Sequence, residues 1–245
     1  MDVTFTAQEL VSVDLSETAV VVVDILRATT TITAALGAGA LGVWAVTSPV
    51  IARELGASRA AITAGERGGR QIPDLDLGNS PIEISSPRVV GRHVVLTTSN
   101  GTETIALAQD APAILLGCFN NIGALTDALK GMEMPKVLVA CAGTCGGRRI
   151  TPEDVLFAGE LIRGLSDSSR RLSGGAQVAR DYSRARYGEL ADVLRESPAG
   201  QRLIDSGYAA DLDWAARRDS TDIVPGVRRD ETAGAPPLLV PWEER

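Results

Sequence analysis

Asp24 and Arg27 stand three residues apart in the stretch 19–40, AVVVVDILRATTTITAALGAGA. An acid and a guanidinium at that spacing suit metal and phosphate chemistry: the carboxylate as ligand or base, the arginine as a fork for phosphate oxygens. The plainer reading is a pair bracing a turn. A second concentration follows at 65–86, GERGGRQIPDLDLGNSPIEISS, which gathers Glu66, Arg67, Asp74, Asp76, Asn79 and Ser80 among flexible glycines. Carboxylates and amides so dense can ligate a hard cation, while Arg67 and loop amides face phosphate. A solvated loop with Asx turns is the alternative; the length of the stretch favours function. Two small-residue turns lead into helices: SNGT, with Ser99, Asn100, Gly101 and Thr102, and AGTCGG, with Gly143 and Thr144. Asn121 follows a further strand. Such turns cradle anions, although capping explains each one alone. In TPEDVLFAGELI, Thr151, Pro152, Glu153 and Asp154 read as a capped helix start, so a metal role for either acid is the weaker reading.

Several chemistries are excluded. His93 is the only histidine, so multi-histidine metal sites and paired-histidine phosphatases are ruled out, and any metal is held mostly by oxygen, which favours Mg²⁺, Mn²⁺ or Ca²⁺ over zinc. GAGALG (37–42) spells a dinucleotide motif but ends a helix and enters a strand, the reverse of what that motif needs. No P-loop is present. Cys141 ends an apolar run, as in cysteine phosphatases, but the arginine register misses by one: Gly147 stands where that chemistry wants the arginine. Asp24 lacks the second acid of the aspartyl-phosphate phosphatases, since Leu26 stands two residues on. Three cysteines in a chain of 245 residues argue against a disulfide framework.

The elements that must position these groups are legible from apolar runs. Four consecutive valines before Asp24 predict a strand buried on both faces, as in a parallel sheet. Further strands are expected at 42–47, 59–64, 93–98, 113–119 and 136–141, alternating with helices. The fold class is α/β: a layered α/β/α arrangement with a mostly parallel sheet. If the strands are parallel, their loops share one rim, where open sheets bind ligands. Residues 1–165 form the α/β core carrying the phosphate and metal loops. After a polar connection at 166–175, residues 166–245 form a mainly helical C-terminal portion that packs on the core and could close over the rim; whether it is an independent domain stays open. The segment APPLLVP near the end could tuck Leu238–Val240 against the core.

Net charge is −7, with no basic stretch interleaved with aromatics, so nucleic acid is not an expected partner. No signal peptide or membrane span is legible. A soluble cytoplasmic protein is expected; self-association into a homo-oligomer stays open.

Together the stretches VVVDILRATTTITAAL, GERGG with PDLDLGNSP, LTTSNGT, the pattern Asn121–x–x–Ala124, and CAGT with EDVLFAGELI resemble the 2-phosphosulfolactate phosphatase (ComB-type) family. SPAGQRLIDSGYAADLDWAARRDSTDIVP looks like that family's C-terminal portion. The resemblance implies an α/β fold unrelated to the common phosphatase classes. It also implies a Mg²⁺-dependent phosphatase that converts 2-phospho-3-sulfolactate to 3-sulfolactate, a step toward coenzyme M. The substrate expected is thus a small phosphorylated acid. On this reading Asp24, Arg27, Glu66 and Asp74 are catalytic, and Asp24, Glu66, Asp74 and Asp76 are the metal-binding acids. Arg67, Asn79, Ser80, Ser99, Asn100, Gly101, Thr102, Asn121, Gly143 and Thr144 bind substrate. A covalent aspartyl intermediate on Asp24, a non-catalytic protein binding a phosphorylated or sulfonated acid, and a phosphotransferase are the alternatives.

Overall fold

The computed structural model describes residues 1–166, 171–228 and 235–243. Its strands are β1 (Asp2–Thr4), β2 (Thr18–Val23), β3 (Gly42–Val46), β4 (Ile62–Arg67), β5 (Arg70–Gln71), β6 (His93–Thr97), β7 (Ala113–Gly117), β8 (Lys136–Cys141), β9 (Pro225–Arg228) and β10 (Leu238–Pro241). They join one sheet in the order β1-β8-β2-β7-β9-β10-β3-β6-β4-β5. The helices are α1 (Ala7–Leu10), α2 (Ala28–Gly37), α3 (Pro49–Arg59), α4 (Pro81–Ile84), α5 (Gly101–Leu107), α6 (Ile122–Gly131), α7 (Pro152–Leu165), α8 (Gly174–Ala185), α9 (Leu190–Glu196), α10 (Pro198–Asp205) and α11 (Ala209–Ala215).

The valine run behaves as its composition requires. β2 is paired on both sides in parallel, so Val23 lies level with Gly117 of β7 and Cys141 of β8. Its side chains alternate between two cores. Val20 and Val22 pack with Ile32 and Leu36 of α2 and Ile105 of α5. Val21 and Val23 pack with Leu125 of α6 and with Phe157 and Leu161 of α7. All four valines are fully buried, which explains the absence of polar alternation.

The sheet consists of two parallel blocks. One holds β1, β8, β2 and β7; the other holds β3, β6 and β4. β9 and β10 join them through three antiparallel pairings. Three reversals make the blocks run in opposite senses along the ladder. Residues at the carboxyl ends of both blocks nevertheless line one cleft: Asp24 after β2 and Thr144 after β8 from one, Glu66 of β4 and Ser99 after β6 from the other.

The structure departs from the sequence reading in three places. β4 begins at Ile62 and runs on through Arg67, because Arg59 completes α3 and Ala60 takes a left-handed conformation (φ 48°) to end it. The stretch 65–86 is therefore a strand end, a short hairpin with β5, and the single turn α4, with only its middle irregular. The C-terminal portion is not only helical: beside its helices, β9 and β10 enter the middle of the sheet. Residues 167–170 of the polar connection lie outside the described residues.

Candidate active site

Asp24 is the first residue beyond β2. Its carboxylate accepts hydrogen bonds from the backbone amides of Ala28, at the start of α2, and Gly101, at the start of α5. Gly101 must be glycine: a β-carbon there would lie 2.4 Å from Ala28 Cβ and 2.7 Å from Asp24 Oδ2. The next turn is closed by Thr102, whose hydroxyl bonds Thr98 O and accepts from Thr98 N.

Three further acids surround Asp24. Glu66, at the end of β4, accepts from Gly69 N (2.7 Å) and Ser99 N (2.8 Å), tying the β4–β5 hairpin to the loop after β6. Asp154, in the first turn of α7, accepts from Ile25 N, Thr151 Oγ1 and Gly143 N. Gly143 has φ +63°, and a β-carbon on it would meet Arg149 O at 2.4 Å; only glycine lets its amide turn back to Asp154. Glu153 is buried beside it, and its Oε2 has no hydrogen-bond partner. Burial, then repulsion from Asp154 and Glu66, pushes Asp24 up to about 8. Burial pushes Glu153 up to about 7, and burial plus the charge of Glu153 does the same to Asp154.

Arg27 lies across the floor. The Leu26–Arg27 peptide is cis. Nη1 donates to Asp211 Oδ2 at 2.7 Å and Nη2 to Gly69 O at 2.9 Å, and the guanidinium sits 4.5 Å from the Tyr208 ring centre. Asp211, in α11, is held at its other oxygen by Ser80 Oγ (2.7 Å). Helix α11 is thus fastened to the site by a buried ion pair.

These groups open into a cleft of about 330 Å³. Of the residues expected from sequence, Asp24, Arg27, Glu66, Asn79, Ser99, Asn100 and Thr144 line it. Gly101 and Gly143 stand behind that lining, with their amides on Asp24 and Asp154.

Five expected residues are placed elsewhere. Asp76 is exposed, accepts from Thr63 N and Oγ1, and pairs with Arg88 at 3.5 Å; those donors hold its carboxyl below the usual range. Asp74 is exposed in a left-handed turn (φ 67°) and does not line the cleft. Arg67 donates to Glu66 O, Thr47 O and Thr97 Oγ1, and so is consumed by the chain around it. Ser80 caps α4 and serves Asp211. Asn121 is buried and accepts from Cys118 N while donating to Leu116 O and Ile223 O.

Sequence reasoning missed Arg202, Cys145 and Asp211, and demoted Glu153 and Asp154. The two α7 acids carry a capping signature that masks a second use. Asp211 had a signal, since it sits among apolar residues at helical spacing with Leu212 and Ala215. The exclusion of cysteine chemistry has a physical counterpart: burial drives the Cys141 thiol well above its usual range.

The cleft's donors are carboxylate and amide oxygens, with His93 stacked far off on Trp44. Among the described residues, no group of three or more His, Cys, Asp or Glu is arranged to hold a metal ion. No helix is long and apolar enough to cross a membrane.

The profile of the 2-phosphosulpholactate phosphatase family matches residues 4–230. A protein of Carboxydothermus hydrogenoformans named "Probable 2-phosphosulfolactate phosphatase" is 36% identical over 227 residues, covering 92% of this chain and 92% of its own. Proteins of the same name from Deinococcus radiodurans and Thermotoga maritima are 36% and 34% identical, covering 83% and 84% of this chain and 85% and 88% of their own. With the profile spanning both parallel blocks, α11 and β9, the chain belongs to the 2-phosphosulfolactate phosphatase family and is a phosphoric monoester hydrolase.

Proposed function

We propose that this protein hydrolyses 2-phospho-3-sulfolactate, or a closely related phosphorylated hydroxy acid, to the free hydroxy acid and phosphate, with Mg²⁺ as cofactor. The observation that carries the reading is Asp24: a buried carboxylate at the floor of a cleft, held by two backbone amides and crowded by other acids, with Arg27 alongside.

In the reaction a water oxygen forms a bond to phosphorus, the bond from phosphorus to the C2 oxygen breaks, and that oxygen gains a proton. Arg27 spends two of its five donors on Asp211 and Gly69, which leaves donors for a phosphoryl oxygen. The hydroxyls of Ser99 and Thr144 add neutral donors at the wall. Asp24 is the cleft's basic group. Its proton affinity is raised only while its charge is uncompensated, so Asp24 would serve as the ligand with the ion bound and as the acceptor of the water's proton only without it.

The donor set fits Mg²⁺. This ion is commonly held by one or two carboxylates together with waters and substrate phosphate, without an all-protein cage. Asp24 and Oδ1 of Asn79, which is buried with no partner, are the residues that would hold it. The repulsion felt by Asp24 is what a cation would relieve. When bound, Mg²⁺ supplies neutralisation of phosphate charge and a water of lowered pKa.

The test is phosphate release from racemic 2-phospho-3-sulfolactate with and without Mg²⁺. Release that requires the ion supports the whole reading. Release without it removes the cofactor, and no release by folded protein from this or related phosphorylated hydroxy acids removes the activity.

A further inference from the structure

Helix α10 presents Ala199, Arg202 and Leu203 to the cleft. Their spacing of three and four places them on one helical face. That face is fixed in position. Ser197 caps the helix through Gly200 N, Leu203 is buried, and a β-carbon on Gly200 would lie 1.8 Å from Leu194 O. The helix therefore sits hard against the end of α9.

Arg27 and Arg202 are the two basic residues of the lining. Arg27 is buried and tied to Asp211, Gly69 and Tyr208. Arg202 is exposed; its guanidinium reaches Thr144 Oγ1 at 3.5 Å and has no salt-bridge partner among the described residues. A second guanidinium stands nearby: Arg148 Nη2 lies 4.0 Å from the place a β-carbon would take on the lining residue Gly146. The cleft thus has an acidic floor with one committed arginine and a rim with available positive charge. Phosphate alone is served at the floor. Arg202 also acts at a distance on the buried Glu153, but no carboxylate among the described residues pairs with it, and a guanidinium so placed across the cavity from Arg27 is positioned for another anion on the same ligand.

We infer that Arg202 is the specificity-determining residue for the second anionic group of the substrate, a carboxylate or sulfonate carried on the carbons beyond the phosphoester. The inference rests on the phosphatase reading and narrows its substrate class to small phosphomonoesters bearing a further strong acid.

The experiment compares wild type with Arg202→Ala and Arg202→Lys on four phosphomonoesters: 2-phospho-3-sulfolactate, 2-phospholactate, 2-sulfoethyl phosphate and ethyl phosphate. These carry both extra acids, the carboxylate alone, the sulfonate alone, and neither. For Arg202→Ala, the preference in kcat/KM for 2-phospho-3-sulfolactate over ethyl phosphate should fall about 10- to 100-fold, the range of one charge-assisted contact. The fall should reside mainly in KM, and Arg202→Lys should lose less. Whether 2-phospholactate or 2-sulfoethyl phosphate shares the drop identifies which acid Arg202 holds. An unchanged preference, or an equal loss on all four, overturns the assignment. If wild type hydrolyses none of them, the phosphatase reading fails, and titration calorimetry with 3-sulfolactate decides the matter. Binding weakened at least tenfold by Arg202→Ala then supports the assignment; equal binding, or none by either protein, overturns it.

Discussion

Two sets of carboxylates stand in this chain, and only one of them surrounds the cleft. The stretch 65–86 is dense in acids, yet Asp74 and Asp76 point to solvent and Asp76 is fully served by Thr63 and Arg88. The region below the ends of β2 and β8 is sparse in sequence, one acid at Asp24 and two at the head of α7, yet those three are buried together with no ion-pair partner among the described residues. The difference is one of compensation. An exposed acid with its own donors is already at rest, and it gains little from a ligand. A buried acid facing other acids is held at a cost that a cation or a proton relieves. Number of acids per residue is thus a poor guide to reactivity, and crowding without counter-charge is a good one.

Four measurements can break or sharpen that contrast. The largest effect belongs to Asp24→Asn, which should lower kcat/KM on the order of 10³-fold or more with the fold retained by circular dichroism. Near-normal turnover would remove Asp24 from the chemistry. Next is Glu66→Gln, the acid of the dense stretch that joins the buried cluster. Its carboxylate clamps two amides, and an amide side chain offers one oxygen, so a loss of about 1–3 kcal/mol in stability is expected. KM should rise, and because loss of this charge relieves part of the repulsion on Asp24, the pH profile should move to lower pH; an unmoved profile would make Glu66 a clamp alone.

The third concerns pH. The unfolded chain releases the proton of Asp24 near 3.8, whereas the folded protein keeps it to about 8, and Glu153 and Asp154 hold theirs to about 7. A raised pKa contributes stability that is full below the unfolded value and lost as pH climbs through the folded one. The Tm of Mg²⁺-free protein should therefore rise by several degrees as pH is lowered from 8 to 6, and Mg²⁺ or Asp24→Asn should flatten that slope. A Tm that rises with pH over this range would contradict the uncompensated cluster. The smallest effects are expected at the exposed acids: Asp74→Asn and Asp76→Asn should each change stability by no more than about 1 kcal/mol and leave kcat/KM within about twofold. A large loss of turnover in either would put the dense stretch back into the chemistry.

Much of the scaffold was legible because apolar runs report burial directly. The valines of β2, the extent of α2 to its terminal glycine, β8 over 136–141 and the Thr151–Pro152 start of α7 all follow from local patterns. The loops meeting at the cleft follow from strand–loop–helix repetition, although the sheet achieves the meeting through two opposed blocks and not through one parallel rim. What escaped is non-local. Nothing near Glu153 or Asp154 says that the head of α7 docks beneath Asp24; the dipole argument accounts for both acids within their own helix. Asp211 finds Arg27 across 184 positions, a pairing that no spacing rule reaches. β9 reads Pro-Gly-Val-Arg, a composition that discourages a strand assignment; its four residues pair because β10 supplies the ladder.

The position of β10 carries a consequence for how the chain is made. This strand follows every other strand in the chain order described, yet it sits between β9 and β3 and seals the seam of the sheet. While the polypeptide is still being synthesised, the block around β2 and the block around β6 can each gather their helices, but the seam between them closes only once β10 has emerged. Until then the edges of β7 and β3 lie bare, and bare edges invite pairing with a neighbouring chain. Removing residues 235–245 should therefore leave two half-sheets with a sticky margin, sending the truncated product into inclusion bodies and not merely lowering its melting point.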